Sequence, residues 1–470
     1  MSTNQERSLY PLNSAFMKTL IILIFLSLSL SLMAQDVPCD STVLSVAEPI
    51  TQADTIASSD TLFLSSIVSG SPVLTQSQVM ICFESGFEVL ASVVFEVNID
   101  ECISEFSLPQ IFGGNIDLAN LENYENQVIP NYINEDNTDG NPVSNIGAAL
   151  GRVLFYDKNL SVDKSIACAL CHFQAFAFGD TAIASVGVDG TTGRHSMRLI
   201  NTRFATEVRF FWDERAATLE EQSTQPIQDH IEMGFSGNDD DPDLDSLIRR
   251  MNTLEYYPML FSEVYGDNEI TESKMQLAIA QFVRSIQSFD SRYDVGRSQV
   301  VNNADAFPNF TASENSGKTL FQTNPDNQNG QRVGGGLGCN RCHGAPEFDI
   351  DDDSDNNGVI GVIGDAGASD LTNTRSPTLR DLFNGNGDLN GPAMHDGSLS
   401  TITTIIDHYN NIIPNAEIDN RLRGGGGGGN NNGQSLNITE QERTDLEAFL
   451  KTLTGSDVYT NPKWSNPFIN

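Results

Sequence analysis

The stretch Cys168-Ala169-Leu170-Cys171-His172 decides how the rest of the chain is interpreted. Two cysteines three apart, with a histidine directly after them, form the peptide that attaches a c-type haem. The thiols bond to the porphyrin, and the adjacent imidazole becomes an axial ligand of the iron. The pattern recurs at Cys339-Asn340-Arg341-Cys342-His343. The two peptides predict two covalently bound haem c groups, with His172 and His343 as iron ligands.

Two other sites use Cys-x-x-Cys pairs, namely a zinc site and a thioredoxin-like redox pair. Zinc ribbons place their pairs about 15–20 residues apart, far closer than Cys171 and Cys339. Neither alternative accounts for a histidine after both pairs, so haem attachment is the favoured interpretation.

The N-terminus predicts export. Met17 and Lys18 precede an apolar run over residues 19–33, and Ala34-Gln35 supplies a small-residue cleavage region. Residues 1–35 are therefore interpreted as a signal peptide, with residues 1–16 as an upstream extension. The alternative is an uncleaved anchor, but the run is short for a membrane span. Because bacteria attach haem c outside the cytoplasm, we expect a periplasmic or cell-surface protein.

The chain is strongly acidic, with a net charge of −37. Removing residues 1–35 takes away Glu6, Arg7 and Lys18 and changes this charge to −38. Such a charge argues against nucleic acid as a partner. It favours a basic redox partner through electrostatic steering, although an acidic surface also serves solubility.

Residues 36–105 predict a small all-β domain. Val79, Ile81 and Phe83 alternate with polar or small neighbours, and the same period of two continues to about residue 99. The turn and strand at Glu84–Val89 resemble the stacked-strand modules attached to exported bacterial proteins.

Three cysteines remain in this part of the chain. Cys39 and Cys102 bracket the strands, and a disulfide between them would stabilise the domain by roughly 4 kcal/mol in the chain-entropy model. Cys82 would then be unpaired, so the pairing stays open.

Residues 106–140 are Asn-rich and are interpreted as a linker or extended arm, after which the chain becomes mainly α. Gly151–Phe155 precedes the first haem peptide, and Gly317–Phe321 precedes the second. This repeat predicts two tandem cytochrome c-like domains, over residues 141–310 and 311–470.

Helical periodicity supports both domains. The apolar side chains that form helical stripes are Ile146, Leu150, Val153 and Leu154, then Met275, Ile279, Phe282, Val283, Ile286 and Phe289, and finally Leu446, Phe449, Leu450 and Leu453. Capping boxes at Thr311/Glu314 and Thr439/Glu442 mark two helix starts, and Gly455 marks an end. Asp351–Gly358 is interpreted as a solvated loop and Gly424–Gly429 as a flexible insertion.

Several motifs in order resemble the bacterial di-haem cytochrome c peroxidases and their MauG-type relatives. Besides the haem peptides and the repeat, they are Phe211-Trp-Asp-Glu-Arg-Ala216, Leu219-Glu-Glu-Gln222, Glu232-Met233 and Met394-His-Asp-Gly397. The resemblance implies a peroxidatic N-terminal haem and an electron-supplying C-terminal haem. It also implies hydrogen peroxide as substrate and a small cytochrome c or copper protein as donor. A homodimer is compatible with it.

The chemistry expected of such a protein assigns roles to three side chains. Peroxide reduction takes two electrons and two protons, and a carboxylate in a restricted pocket suits the proton transfer. By resemblance that carboxylate is Glu232, Gln222 hydrogen-bonds peroxide beside it, and Trp212 relays electrons between the haems. Without the motifs, Glu232 and Gln222 would be surface residues and Trp212 a core aromatic.

The sixth ligand of the second haem is a further expectation. In the peroxidase branch a methionine lies fourteen residues after the histidine of His-Asp-Gly, and this count from His395 reaches Tyr409, where MauG-type proteins carry tyrosine. Tyr409 is therefore the predicted ligand of the second iron, with Met394 or His408 as alternatives.

Two loop positions bear on the first haem. Val188 stands where relatives that need reductive activation carry a blocking histidine, which implies an open iron unless His195 takes that place. His195 stands where relatives place an asparagine that helps bind calcium, and the carbonyls of Asn390 and Pro392 match the other ligands. Calcium is accordingly a secondary expectation.

Three functions follow from this sequence. The first is a di-haem peroxidase, the second is MauG-like oxidation of a partner protein, and the third is a non-catalytic di-haem electron carrier. Gln222 and Glu232 favour the two enzymes, since a carrier has no need of them.

Overall fold

The computed structural model describes residues 108–470, apart from 207–208, 239, 329–330, 350–353, 425–432 and 470, and upstream of these the backbone of seven strands. The chain divides into two compact units, Met1–Phe106 and Ser107–Asn470. Of the predicted solvated loop Asp351–Gly358, residues 351–353 lie outside the described residues. The described remainder is not a solvated loop, because Asn356 is fully buried and Asn357 is half-buried. The Gly/Asn run at residues 425–432 lies outside the described residues.

The first unit contains strands β1 to β7, at Thr19–Ile22, Ser31–Leu32, Leu44–Glu48, Thr61–Leu64, Leu74–Gln76, Val79–Phe83 and Phe95–Asn98. Five of them form a sheet in the order β2-β3-β4-β6-β5, and β1 pairs with β7 in antiparallel fashion. Strand β6 coincides with the predicted alternation at Val79, Ile81 and Phe83. The all-β domain as a whole, the signal peptide and the Cys39–Cys102 pairing stay predictions, since most residues they involve lie outside the described ones.

The second unit is mainly helical. Its helices α1 to α10 are Leu108–Phe112, Asn145–Tyr156, Leu219–Thr224, Leu244–Met251, Tyr256–Tyr265, Glu272–Ser285, Arg292–Arg297, Ala312–Gln322, Ile402–Asn410 and Glu440–Lys451. Two small hairpins accompany them, β8–β9 at Val186–Gly187 and Gly190–Thr191, and β10–β11 at Pro325–Gln328 and Gln331–Gly335. Among the described residues, the helices are all too short or too polar to span a bilayer.

Helices α2 and α6 cross at a glycine in the part of this unit that is predicted to be the first domain. A Cβ on Gly151 would lie 1.9 Å from the Ala278 carbonyl oxygen and 2.8 Å from Cβ of Phe282. Only glycine permits this approach of the two backbones. The side chains of Leu150, Val153 and Leu154 are fully buried around the crossing, as their periodicity predicts.

Helices α8 and α10 repeat this crossing in the second domain. A Cβ on Gly317 would lie 1.9 Å from the Asp445 carbonyl oxygen and 2.8 Å from Cβ of Phe449. The capping boxes that begin α8 at Thr311 and α10 at Thr439 are both present. The short repeat in the sequence therefore marks the same glycine-mediated helix crossing in both places.

The predicted helix ends are corrected at two places. Helix α10 ends at Lys451 and not at Gly455, because the Thr452 amide turns back to the Phe449 carbonyl while the Thr452 carbonyl accepts the Tyr293 amide. Helix α6 ends at Ser285, because Ile286 has an extended backbone. The last part of the predicted stripe, at Ile286 and Phe289, thus lies beyond the helix.

The segment interpreted as a linker packs as an arm against the first domain. Phe112 and Tyr124 are buried. The buried guanidinium of Arg152 donates to the carbonyls of Asn115, Pro462 and Ser465, at 3.2, 2.8 and 2.6 Å. The start and the end of this unit are therefore bound to one side chain.

Part of the stretch assigned to the first domain contributes to the core of the second. Tyr293, Phe307 and Phe310 pack in one cluster with Phe321 and Phe449. The boundary at residue 310 stays a prediction. The rings of Tyr293, Phe307 and Phe310 nevertheless pack with residues assigned to the second domain.

Candidate functional site

The first haem peptide forms a tight turn that presents its histidine. Cys168–Leu170 is a 3₁₀ turn, and the His172 amide donates to the Cys168 carbonyl at 2.9 Å. The His172 Nδ1–H faces the Phe178 carbonyl oxygen at 3.1 Å. Burial lowers the pKa of His172, which keeps the imidazole neutral. A neutral ring whose Nδ1 is engaged in this way can offer Nε2 to a metal.

A cavity of about 650 Å³ opens beside this turn. Its walls combine apolar side chains with charged groups, and they include Phe155, Cys168, Cys171, His172, Met197, Arg198, Trp212, Arg215, Gln222, Asp229, Glu232 and Met233. The cavity therefore brings together the first haem peptide and all three residues predicted to act on peroxide or on its electrons.

Glu232 lies in the wall of this cavity. Burial raises the pKa of both Cys168 and Cys171, and the negative charge of Glu232 raises it further, so the carboxyl lies close to the first haem peptide. Burial raises the pKa of Glu232 to about 7, the nearby Asp229 adds to this effect, and Arg215 opposes it. A carboxyl with this pKa exchanges a proton readily at neutral pH.

Gln222 reaches the same cavity from α3. The side chain of Thr218 caps this helix by accepting the Glu221 amide at 3.1 Å, and Leu219 is buried beneath it. Gln222 is consequently half-buried in the cavity wall, where its amide can both donate and accept a hydrogen bond.

The hairpin β8–β9 packs on the segment that carries Glu232. The Val188 amide donates to the Glu232 carbonyl at 3.1 Å, and the Asp189 amide donates to the Ile231 carbonyl at 3.2 Å. Val188 has no atom that binds iron. Its position fits the expectation of an open first iron, which stays a prediction.

His195 is buried at the edge of the first cavity. Its Nδ1 lies 2.9 Å from the Ala182 carbonyl oxygen, and its backbone amide donates to the His395 carbonyl at 2.7 Å. Its ring also lies beside the segment that contains Asn390 and Pro392, because a Cβ on Gly391 would be 3.7 Å from the His195 ring. Within the described residues no three His, Cys, Asp or Glu side chains form a metal cluster. Calcium stays a prediction.

Trp212 joins the two domains. Its indole N–H donates to the His195 carbonyl at 2.7 Å, and its own carbonyl accepts the Thr374 amide at 2.9 Å. The indole is 8% exposed and lies edge-on to the His395 ring at 6.3 Å. The side chain is thus both a core aromatic and a wall of the first cavity.

A single segment separates the two haem cavities. Pro377 and Thr378 line the first cavity, whereas Ser376 and Leu379 line the second. The Thr378 carbonyl accepts a hydrogen bond from Arg198 at 2.9 Å. Sequence reasoning missed Arg198, since it lies in none of the recognised motifs.

The second haem peptide repeats the turn of the first. Cys339–Arg341 is a 3₁₀ turn, and the His343 amide donates to the Cys339 carbonyl at 2.9 Å. Burial lowers the pKa of His343 to about 4, so this imidazole is neutral as well. The adjoining cavity is narrower, about 100 Å³, and mostly apolar; its walls include Phe321, Leu337, Cys339, Cys342, His343, Asn357, Leu379, Leu382, Ile402, Ile406, Tyr409, Leu446 and Leu450.

Tyr409 extends from α9 into the wall of this second cavity. Burial raises the pKa of its hydroxyl, and the charges of Cys342 and Cys339 act in the same direction. Met394 is outside the lining, and its Sδ accepts from Asn357 at 3.2 Å. His408 is also outside it, with Nε2 2.9 Å from the Asn357 carbonyl oxygen. Of the three predicted alternatives, Tyr409 is the one that lines the cavity.

Both sites fit a covalently bound haem by their donor sets. Each has two cysteine thiols and a neutral histidine on one turn, with aromatic and aliphatic side chains around them. Phe155 and Phe321, which end the two copies of the repeat, line the first and second cavity respectively. The same short sequence therefore contributes a phenylalanine to the wall of each cavity.

Comparison with known proteins identifies the relatives of this chain. The model of the di-haem cytochrome c peroxidase family matches residues 145–299. The methylamine utilization protein MauG of Methylophilus methylotrophus is 29% identical over 328 residues, which cover 67% of this chain and 84% of that protein. The cytochrome c551 peroxidase of Nitrosomonas europaea is 25% identical over 323 residues, covering 66% and 80%.

Solved structures agree with these relatives in fold. A MauG-like protein associated with microbial copper homeostasis superposes with a TM-score of 0.54 at 26% identity, over 73% of this chain and 99% of that one. The diheme peroxidase BthA from Burkholderia thailandensis superposes with a TM-score of 0.50 at 22% identity, over 72% and 92%.

Proposed function

Because the chain belongs to the di-haem cytochrome c peroxidase and MauG family, we propose that it reduces hydrogen peroxide to water with electrons from a small external redox protein. The observation that carries this proposal is the position of Glu232. Its carboxyl lies in one cavity with Cys168 and His172, and its pKa is raised to about 7.

Glu232 provides the proton transfer that this reaction needs. When bound, the haem supplies an iron to which peroxide binds and from which electrons reach it. As a carboxylate, Glu232 would take a proton from one oxygen of the bound peroxide. As an acid it returns the proton to the departing oxygen, which leaves as water. Both roles require a pKa near the working pH, which burial gives this side chain.

Two polar groups beside Glu232 hold the substrate. Gln222 lines the same cavity and has a donor and an acceptor for the two ends of peroxide. The guanidinium of Arg215 lies 3.5 Å from the centre of the Phe211 ring and forms an ion pair with Asp213 at 2.9 Å. These contacts hold a positive charge at the cavity wall, where it opposes the rise in the Glu232 pKa.

The second domain delivers the electrons. Trp212 lines the first cavity, and the segment Ser376–Leu379 contributes to the walls of both cavities, so electrons would pass through these residues. The acidic chain favours a basic donor, and the donor proposed here is a small cytochrome c or copper protein. Export to the periplasm or the cell surface is part of this proposal.

The test is steady-state peroxide turnover by the purified holoprotein with a reduced small cytochrome. We expect peroxide-dependent oxidation of the cytochrome that falls as ionic strength rises, because salt screens the acidic surface. A holoprotein with two haems that reacts with neither peroxide nor the reduced cytochrome would contradict the proposal and favour a plain electron carrier.

Tyr409 favours a second candidate, MauG-like oxidation of a partner protein. A phenolate is a hard anionic ligand that stabilises ferric and higher oxidation states, whereas a thioether favours ferrous iron. A low potential at the second haem, together with slow peroxide turnover and persistence of the peroxide-oxidised protein, would support this alternative. A high potential would support the peroxidase.

A further inference from the structure

Asn357 lines the second cavity together with Tyr409, and its amide orientation is determined by the backbone. The Asn357 Oδ1 accepts the Val359 amide at 3.0 Å. A backbone N–H can only donate, so the oxygen and nitrogen of this side chain cannot be exchanged. The Asn357 Nδ2 therefore points away from Val359 as a donor.

This donor lies near two of the three predicted ligands of the second haem. The Asn357 Nδ2 lies 3.2 Å from Sδ of Met394. Asn357 and Tyr409 both line the second cavity, and the Asn357 amide is close enough to the Tyr409 hydroxyl to act on it. The Tyr409 oxygen thus has an amide neighbour in a cavity whose walls are mostly apolar.

The backbone of Asn357 is bound to the helix that carries Tyr409. The Asn357 carbonyl oxygen lies 2.9 Å from Nε2 of His408, which directly precedes Tyr409 on α9. A Cβ on Gly358 would lie 3.4 Å from the His408 ring, so the loop and the helix are in contact. The loop that carries the Asn357 amide is consequently held beside the helix that carries Tyr409.

We propose that Asn357 is a positioning residue that holds the Tyr409 oxygen in place for the second haem iron and sets the potential of that haem. The inference rests on the proposed role of Tyr409 as iron ligand. A hydrogen bond to a phenolate withdraws negative charge from the oxygen and weakens its donation to iron. Groups that contact a ligand in this way commonly tune the metal. With this bond present, the second haem has a higher potential than a free phenolate would give it.

The test compares holoproteins carrying Asn357→Ser, Asn357→Leu, Tyr409→Phe, and Asn357→Ser with Tyr409→Phe combined. A serine hydroxyl still accepts the Val359 amide but is too short to reach Tyr409, so it preserves the turn and removes the donor. Asn384→Ser is the matched control, because Asn384 accepts the Asn386 amide at 2.9 Å in another turn and lines neither cavity. Each protein is measured by redox titration with separate detection of the two haem spectra.

We expect Asn357→Ser and Asn357→Leu to shift the second haem to lower potential, while the first haem and the Asn384→Ser protein keep wild-type values. The Asn357→Ser shift should disappear when Tyr409 is phenylalanine, because Asn357 acts through the tyrosine. A wild-type potential in Asn357→Ser, with a changed second-haem spectrum in Tyr409→Phe, overturns this inference alone. An unchanged spectrum in Tyr409→Phe overturns the ligand assignment on which it rests.

Discussion

The two predicted haem domains have the same pair of crossing helices and different cavities. In each, two helices cross at a glycine whose added Cβ would lie 1.9 Å from a carbonyl oxygen, and a phenylalanine four residues later lines the haem cavity. The first cavity is about 650 Å³ and has Glu232, Gln222 and Arg215 in its walls. The second is about 100 Å³ and is mostly apolar around Tyr409.

The difference shows that the frame and the chemistry are separable. The crossing helices and the Cys-x-x-Cys-His turn place a histidine, and they do so equally well in both domains. The side chains that face each histidine across the cavity come from elsewhere in the chain. An ionisable carboxyl in a wide cavity suits a site that admits substrate, whereas a tyrosine in a narrow apolar one suits a site that only passes electrons.

Removing one haem at a time is the strongest test of this division. Replacing Cys168 and Cys171 by serine should leave one haem per chain and abolish peroxide turnover. Replacing Cys339 and Cys342 should also leave one haem, but it should retain binding of peroxide to the first site. A haemochrome assay and peroxide-induced spectra distinguish the two proteins. Equal loss of peroxide binding in both cysteine-to-serine proteins would show that peroxide binding is not confined to the first haem site.

Glu232→Gln should slow peroxide turnover by about 10²-fold, because the amide cannot carry the proton. Both haem spectra should stay near those of the wild type. Glu263→Gln is the control, since Glu263 is an exposed carboxyl on α5 of the same domain. Turnover close to that of the control would assign the proton transfer to another group.

The pH profile sharpens the same assignment. The Glu232 pKa is raised to about 7, so the carboxylate that takes the first proton is lost as pH falls through about 7. Wild-type turnover should therefore decrease below neutrality, and this limb should be absent from Glu232→Gln. A limb that persists in the variant would belong to a different residue.

Tyr409→Phe should have a smaller effect on turnover and a selective effect on spectra. Loss of the phenolate should change the ferric spectrum of the second haem and leave the first unchanged. Met394→Leu is the informative comparison, because Met394 contacts Asn357 but lies outside the cavity lining. A near-infrared sulfur-to-iron band in the wild type that is lost in Met394→Leu would favour methionine as the ligand.

Gly151→Ala and Gly317→Ala should change peroxide turnover less than any variant above. The two variants should destabilise the protein to a similar extent. Each added methyl meets a helix backbone, so each should lower the free energy of unfolding by about 1–3 kcal/mol. Gly114→Ala is the control, because no atom lies within 4 Å of the added Cβ there. Thermal unfolding of the holoproteins measures the change. A large effect in one domain only would break the equivalence of the two frames.

The helix starts and the two haem-binding turns could be predicted from the sequence, because the patterns that specify them are local. Capping boxes such as Thr311/Glu314 lie within one helical turn, and the Cys-x-x-Cys-His peptides are contiguous. The ends of α6 and α10 were harder, because contacts from distant segments, such as the Tyr293 amide on Thr452, decide them. The packing of Tyr293 with the second domain has the same cause.

The candidate site could be predicted only where a family motif marks it. Glu232 and Gln222 were found through such motifs, and the structure brings both to the cavity of the first haem peptide. Asn357 was missed, since its partners Met394 and Tyr409 are 37 and 52 residues away along the chain and meet it only after folding. No local pattern distinguishes it from the many other asparagines in polar loops.

Arg152 limits how this molecule can be cut and recombined. Because its guanidinium holds Asn115 near one end of the two-domain unit and Pro462 and Ser465 near the other, the last residues of the chain belong physically to the first domain. Lys318 occupies the equivalent place in the second copy of the repeat, but it contacts nearby groups, namely the carbonyls of Asn303 and Asp305 and the ring of Phe307. The two predicted haem domains are therefore not structurally interchangeable. A graft of the first half into another protein would have to carry the C-terminal tail with it.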